Sequence, residues 1–333
     1  HNGSVAMAKE MVSVAASCGA DAIKFQSFRA EKLVAPNTST AEYQRSNSGE
    51  SDQLKMLKDL ELTESDFRIL FEQCQNFDIE FMSTPFDMEI ARTLVDIGMR
   101  KIKIPSGEIT NLPYIKQLCR FDLPLILSTG MSNLEEVSEA LNLIRKTRDS
   151  LRYSLPIDQM LTLLHCTSNY PAALQDVNLN SMKTMSDRFA VPVGYSDHTT
   201  GFMVSAGAVA MGARVIEKHF TLDRNLPGPD HKASLDPSGL SEFVAHIRDM
   251  ELALGSNLKQ PTASEMQVRD LVRRSIVARS NLNTGSEIEP KDIELLRPGN
   301  GIPPRDWDRV IGCRLKNPVK VGEVLNWDDL DEA

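Results

Sequence analysis

Short apolar runs and amphipathic segments alternate along most of this chain, and polar residues collect at the C-terminal end of nearly every run. The runs are Asp21-Ala-Ile-Lys-Phe-Gln26, Ile79-Glu-Phe-Met-Ser-Thr84, Lys101-Ile-Lys-Ile-Pro-Ser106, Pro124-Leu-Ile-Leu-Ser-Thr-Gly130, Leu161-Thr-Leu-Leu-His-Cys-Thr167, Val191 to Ser196 and Val215 to His219. Their length and their flanks mark them as strands buried on both faces. Segments such as Leu134 to Ile144 lie between them, with apolar residues at three- and four-residue spacing and Asn133 placed to cap the helix. Strand followed by helix, repeated, restricts the chain to the α/β class. An open doubly wound sheet would gather its polar residues at one switch point. A TIM (β/α)8 barrel places them at the C-terminal end of every strand, as here. The barrel is therefore the expected fold. Its first strand is expected ahead of residue 1, because His1-Asn-Gly-Ser reads as a strand-to-helix loop leading into a helix from Ala6 to Ser17.

The pattern breaks after Gly255. Residues 256–270 are polar, contain Pro261 and read as a linker or an isolated helix. From there the chain turns into short β-like pieces, Ser275-Ile-Val-Ala278 among them, separated by turns at Asn283-Thr-Gly285, Arg297-Pro-Gly-Asn-Gly301 and Pro303-Pro304. The expected organisation is a barrel over 1–255, a linker over 256–270 and a small β-rich domain over 271–333.

Bulk charge excludes some functions. With 46 acidic against 37 basic residues the net charge is −9, which argues against a nucleic-acid partner. No run of 18 apolar residues occurs, so no transmembrane helix is expected. Five cysteines, an odd number with no CxxC pair, suit reduced thiols in a cytoplasmic protein. The chain begins at His1 without an initiator methionine, and upstream sequence is expected.

Four groups of residues could carry chemistry. His198 and His219 end consecutive strand runs, so a barrel would bring two imidazoles together at its active face, where they could hold one divalent metal. Lys24 and Lys103 interrupt otherwise apolar strands, where a lysine is costly unless it meets an anion or forms a Schiff base. Thr84, Ser106, Ser128 and Ser196 fall at strand ends, where hydroxyls beside glycines can bind phosphate or carboxylate. Glu108, Glu217 and Asp230 lie near the same ends as candidate acids, bases or sugar contacts. Asp197 adjoins His198 and is a candidate to orient it. By strand alternation Lys218 should point away from His219.

The ordered motifs Ala22-Ile-Lys-Phe-Gln-Ser27, Phe81-Met-Ser-Thr-Pro-Phe86, Lys103-Ile-Pro-Ser-Gly-Glu108, His165-Cys-Thr-Ser-Asn-Tyr-Pro171, Gly194-Tyr-Ser-Asp-His-Thr199, Glu217-Lys-His-Phe-Thr221 and Arg297-Pro-Gly-Asn-Gly301 resemble those of the bacterial sialic acid synthases. The likeness runs over nearly the whole chain, and its end resembles an antifreeze-like (SAF) domain. The resemblance implies condensation of phosphoenolpyruvate with an N-acetylated amino sugar, N-acetylmannosamine in the main reading, with C–O cleavage and phosphate release. It implies a divalent metal on His198 and His219, Mn2+ first, with Mg2+ or Co2+ as alternatives. It implies phosphoenolpyruvate contacts from Lys24, Thr84, Lys103, Ser106, Ser128, Ser196 and Glu217, with Ser168 standing where some members have Asn. Gln26, Glu108, Tyr170 and Asp230 would meet the sugar. Arg297 would reach the site of a partner subunit in a domain-swapped homodimer. Glu108 and Glu217 both remain candidates for stabilising positive charge or handling protons. The alternatives are a legionaminic acid synthase using a diacetylated 6-deoxy sugar, a Schiff-base aldolase on Lys24 or Lys103, and a non-catalytic glycan-binding barrel.

Overall fold

The structure, a computed structural model, describes residues 1–40 and 42–331. The chain divides into two compact units, His1–Gly255 and Ser256–Ala333. In the first unit seven parallel strands form one sheet in sequential order. They are β1 (Ala22–Ser27), β2 (Glu80–Pro85), β3 (Ile102–Ile104), β4 (Leu125–Ser128), β5 (Leu161–Cys166), β6 (Val193–Asp197) and β7 (Ile216–Lys218). The crossovers include α1 (Val5–Ser17), α2 (Glu64–Asn76), α3 (Met88–Ile97), α4 (Leu112–Leu118), α5 (Leu134–Ser150), α6 (Asn180–Phe189), α7 (Met203–Ala210) and α8 (Pro237–Leu254). A doubly wound sheet would reverse its strand order; this one does not, and it curls. Lys24 on β1 and Glu217 on β7, the two edge strands, lie 3.8 Å apart. These are seven strands of the expected barrel, in a TIM-like α/β half-barrel.

Caps start the helices where the sequence supplies short polar side chains. Ser4 caps α1, and Asn133 caps α5 in a box with Glu136. One boundary differs from expectation. The third strand stops at Ile104, and Ser106–Glu108 form a 3-10 turn. Pro105 has no N–H to offer the ladder, so pairing ends before it.

Strand alternation sorts every side chain. Ile23, Phe25, Ile102, Ile104, Leu125, Leu127, Leu161 and Leu163 face outward and pack in the core shared with helix residues such as Leu70, Leu94, Ile115 and Ile144. The inward positions advance in steps of two. Met82, Ile126 and Leu164, with Ala22 and Val215, form a small apolar plug. Two residues further along the same strands come Lys24, Thr84, Ser128, Cys166 and Glu217. One more step along β6 and β7 reaches His198 and His219. The plug therefore forms a floor on which the polar layer stands.

The outward face holds one buried charge pair. Lys218 lies 3.0 Å from Asp197, their side chains 4% and 0% exposed. Asp197 also accepts hydrogen bonds from the Thr199 backbone and hydroxyl and from Ser205, while Lys218 donates to the Thr199 carbonyl. Lys218 thus points away from His219, as alternation requires. Asp197 does not orient the His198 ring, contrary to expectation, because neighbouring strand residues face opposite sides. Asp197→Ala should strand a buried ammonium. We expect a loss of about 3–5 kcal/mol, seen as a fall in melting temperature on the order of 10 °C. A shift under about 2 °C would show that water takes over as the lysine's partner.

In the second unit a helix, α9 (Ala263–Val272), precedes two antiparallel pairs. They are β8 (Ser275–Ala278) with β9 (Ile293–Leu296), and β10 (Arg314–Leu315) with β11 (Leu330–Asp331). Ile276, Ile288, Ile293, Ile302, Val310, Leu315 and Leu325 make its own core. The 256–270 segment read as linker or isolated helix thus contains the start of α9.

Candidate active site

Three charged groups dominate the inward layer. Glu217 lies 3.8 Å from the ammonium of Lys24 and 3.8 Å from that of Lys103, and it accepts a 2.8 Å hydrogen bond from Ser196. Burial alone would raise its pKa. Lys103, Lys24 and Ser196 outweigh that and hold the carboxyl down at about 2. Lys103 is 3% exposed. Burial pulls its ammonium down to about 8, against the pull of Glu217. At neutral pH the group carries two positive charges and one negative, an excess positive charge inside the barrel.

Around it lie hydroxyls with nothing to bind. The Thr84 and Ser128 side-chain oxygens are buried and have no hydrogen-bond partner. Buried polar atoms are almost always paired, so such orphans mark places where a ligand or water completes the bonding. Ser106 receives the Gly130 N–H at 3.0 Å and sits 3.1 Å from the Cys166 sulfur. Gly130 leaves this corner open: a Cβ there would lie 2.3 Å from the Ser168 hydroxyl, 2.7 Å from the Cys166 sulfur and 2.8 Å from the Ser106 hydroxyl. An excess positive charge and unpaired hydroxyls suit a small polyanion.

The two histidines stand beside it with ring centroids 5.4 Å apart. His198 Nδ1 lies 2.7 Å from the Thr167 carbonyl. A carbonyl only accepts, so Nδ1 carries the proton and Nε2 keeps its lone pair. Burial, with His219 beside it, brings His198 down to about 4. Burial, with Lys24 beside it, brings His219 down to about 4. Both imidazoles are neutral at pH 7, the form that binds metals. Asp230 lies 3.7 Å from His219, and its other carboxylate oxygen is buried without a partner. Among the described residues no cluster of three or more His, Cys, Asp or Glu is arranged to hold an ion. The donor chemistry fits a two-histidine site whose remaining positions water and substrate would fill.

The rim carries the rest. The Tyr170 ring lies tilted against His198 with centroids 4.2 Å apart and nears His219 at 5.4 Å. Gln26 is exposed at the end of β1, and Glu108 takes a 2.7 Å hydrogen bond from Asn111. His231 bridges Thr221 and Asn2, fastening the loop after β7 to the loop before α1. Arg297 belongs to the second unit, exposed just after β9. Sequence reading overlooked Cys166, taken there only as a reduced thiol. Its position two residues beyond Leu164 on an inward parity was the available signal.

The chain is similar to known proteins over nearly its whole length. Residues 11–259 match the NeuB family and residues 273–331 match the SAF domain. The N,N'-diacetyllegionaminic acid synthase of Legionella pneumophila is 48% identical over 99% of this chain and 92% of its own length. That of Campylobacter jejuni is 42% identical over 98% of this chain and 96% of its own. The crystal structure of N-acetylneuraminic acid (sialic acid) synthetase from Leptospira borgpetersenii aligns with a TM-score of 0.69 and 32% identity, covering 80% of this chain and 86% of that one. This chain belongs to the NeuB family.

Proposed function

We propose that this protein is a nonulosonic acid synthase, joining phosphoenolpyruvate to a diacetylated 6-deoxy amino sugar with release of phosphate. The observation that carries the reading is the Lys24–Glu217–Lys103 group with the unpaired Thr84 and Ser128 hydroxyls, a site with one positive charge in excess and buried donors for a small polyanion. The sugar follows the relatives: 48% identity to a diacetyllegionaminate synthase against 32% to a neuraminate synthetase. This favours legionaminic acid synthesis over the N-acetylmannosamine reading.

The residues divide the work. Lys24 and Lys103 hold the carboxylate and phosphate of phosphoenolpyruvate, with Thr84, Ser106, Ser128, Ser168 and Ser196 around its oxygens, which sets C3 against the sugar aldehyde. Glu217, fixed as a carboxylate, keeps both ammonium groups aimed and stabilises the positive character that develops at C2. Water then adds at C2, and phosphate leaves by C–O cleavage. His198 and His219 would hold the divalent cation, Mn2+, Mg2+ or Co2+, which supplies Lewis-acid polarisation of a carbonyl oxygen. Tyr170, Gln26, Glu108 and Asp230 line the sugar end.

Phosphate release measured across a panel of amino sugars tests this reading. The diacetylated 6-deoxy sugar should exceed N-acetylmannosamine in kcat/KM by about tenfold or more, the size of one net hydrogen bond. A reversed order would overturn the sugar assignment. Borohydride trapping of pyruvate on Lys24 or Lys103, without phosphate release, would make the protein an aldolase.

Arg297 has its role in a dimer under this proposal: the planar guanidinium of a second copy meets the sugar's acyl carbonyl. Arg297→Ala should raise the sugar KM more than that for phosphoenolpyruvate. Mixed with His219→Ala, it should regain activity by subunit exchange. Exchange without recovery would place Arg297 outside a partner's site.

A further inference from the structure

We propose that Cys166 is a positioning residue of the anion site, its thiol proton donated to the Ser106 hydroxyl oxygen so that the Ser106 proton turns toward an anionic oxygen bound there. This rests on the anion-site reading above and adds a residue to it.

The geometry begins with strand parity. Cys166 ends β5 on the inward side, two residues beyond Leu164 of the apolar plug, and it pairs in register with Ser196. It is 6% exposed, so its sulfur lies among protein neighbours and away from bulk water. One of them is the Ser106 hydroxyl at 3.1 Å. That hydroxyl already accepts the Gly130 N–H at 3.0 Å. A hydroxyl has two lone pairs and one proton. If Ser106 donates to the sulfur, its only proton is spent beneath the site and an anion meets a lone pair. If Cys166 donates instead, both lone pairs are filled, by Gly130 N–H and by the thiol, and the proton is free for the ligand.

A bound anion selects the second arrangement, because donation in series polarises each bond in turn. An unpaired donor stands in the same inward layer. The Ser128 hydroxyl, 2% exposed and inward-facing on β4, has no partner. Gly130 cannot gain a side chain without striking Ser106, Cys166 and Ser168. The corner is thus packed tightly around its polar atoms. A thiol suits the lower position. It is a weak donor that loses little when no anion is present.

A double-mutant cycle on Cys166 and Ser106 tests this, with the KM for phosphoenolpyruvate, the KM for the amino sugar and the melting temperature read for each variant. Cys166→Ala should raise the phosphoenolpyruvate KM about five- to tenfold, the effect of weakening one hydrogen bond to a charged group, and leave the sugar KM and the melting temperature unchanged. Cys166→Ser, which keeps a donor, should stay within about twofold of the parent. In a Ser106→Ala background, Cys166→Ala should have no further effect. Additive effects, or equal rises in both KM values, would overturn the relay. Should Cys166→Ala melt early, the infrared S–H stretch decides. The band absent from Cys166→Ser should move to lower frequency when inorganic phosphate or phosphoenolpyruvate is added to the wild-type protein, and a band that does not move sinks the proposal. Failure of the wild-type protein to bind phosphoenolpyruvate at all would instead bring down the anion-site reading, so the two failures are distinguishable.

Discussion

Lys103→Met should lower kcat/KM for phosphoenolpyruvate by about 10²–10³-fold without destabilising the fold. Losing one partner of a buried charge pair across a binding interface costs about 2–5 kcal/mol, and each 1.4 kcal/mol is about tenfold. Stability should move the other way from activity. In the free protein the site holds two lysines against Glu217, so removing Lys103 leaves a balanced Lys24–Glu217 pair and relieves the cost of burying an uncompensated ammonium. Loss of binding with an unchanged or raised melting temperature is therefore the signature. Loss of both together would mark Lys103 as structural. The pH profile follows from the same group. Burial brings Lys103 down from 10.5 to about 8, so it is cationic below that pH and neutral above it. In the free enzyme kcat/KM for phosphoenolpyruvate should fall as pH rises through about 8. A flat profile to pH 9.5 would show that the bound anion does not meet this ammonium.

His198→Ala and His219→Ala should each remove turnover that a chelator removes from the wild-type protein, by about 10³-fold, since Lewis-acid polarisation contributes several kcal/mol. Both rings stand beyond the packed layers at the strand ends, so far-ultraviolet circular dichroism and melting should change little. Binding gives a readout apart from activity: Mn2+ titrated calorimetrically should bind the wild-type protein and neither variant. Acid should mimic the mutations. Both rings titrate near 4 in the metal-free protein, so the site should keep its affinity from neutral pH down to about 5 and lose it through about 4 as the imidazoles take up protons. Full Mn2+ affinity in either alanine variant would remove that histidine from the site.

Much of this was legible along the chain. Seven strands and their crossovers follow from short apolar runs set between amphipathic segments. Parity then places Lys24, Thr84, Ser128, Ser196, Glu217 and His219 on one face, because a period of two is built into an extended backbone. It also sends Lys218 to the other face. Asp197 was misread despite the same rule, since adjacency to His198 in sequence suggested contact where alternation forbids it. Ser106 and Glu108 were expected at a strand end, and Pro105 moved them onto a turn.

What a sequence determines by itself is local: which residues extend, which coil, where a proline or a cap ends an element, and which side of a strand a residue faces. Those rules depend on residues a few positions apart. The site depends on distances between residues far apart in the chain. Only the curl of the sheet brings Lys24 within 3.8 Å of Glu217, 193 positions later. Only the side-by-side packing of β3, β4 and β5 joins Ser106, Gly130 and Cys166 into one corner. The protonation states follow from the same closure. An isolated lysine or histidine titrates at its ordinary value, and Lys103, His198 and His219 leave theirs because the folded barrel strips water from them and sets charges beside them.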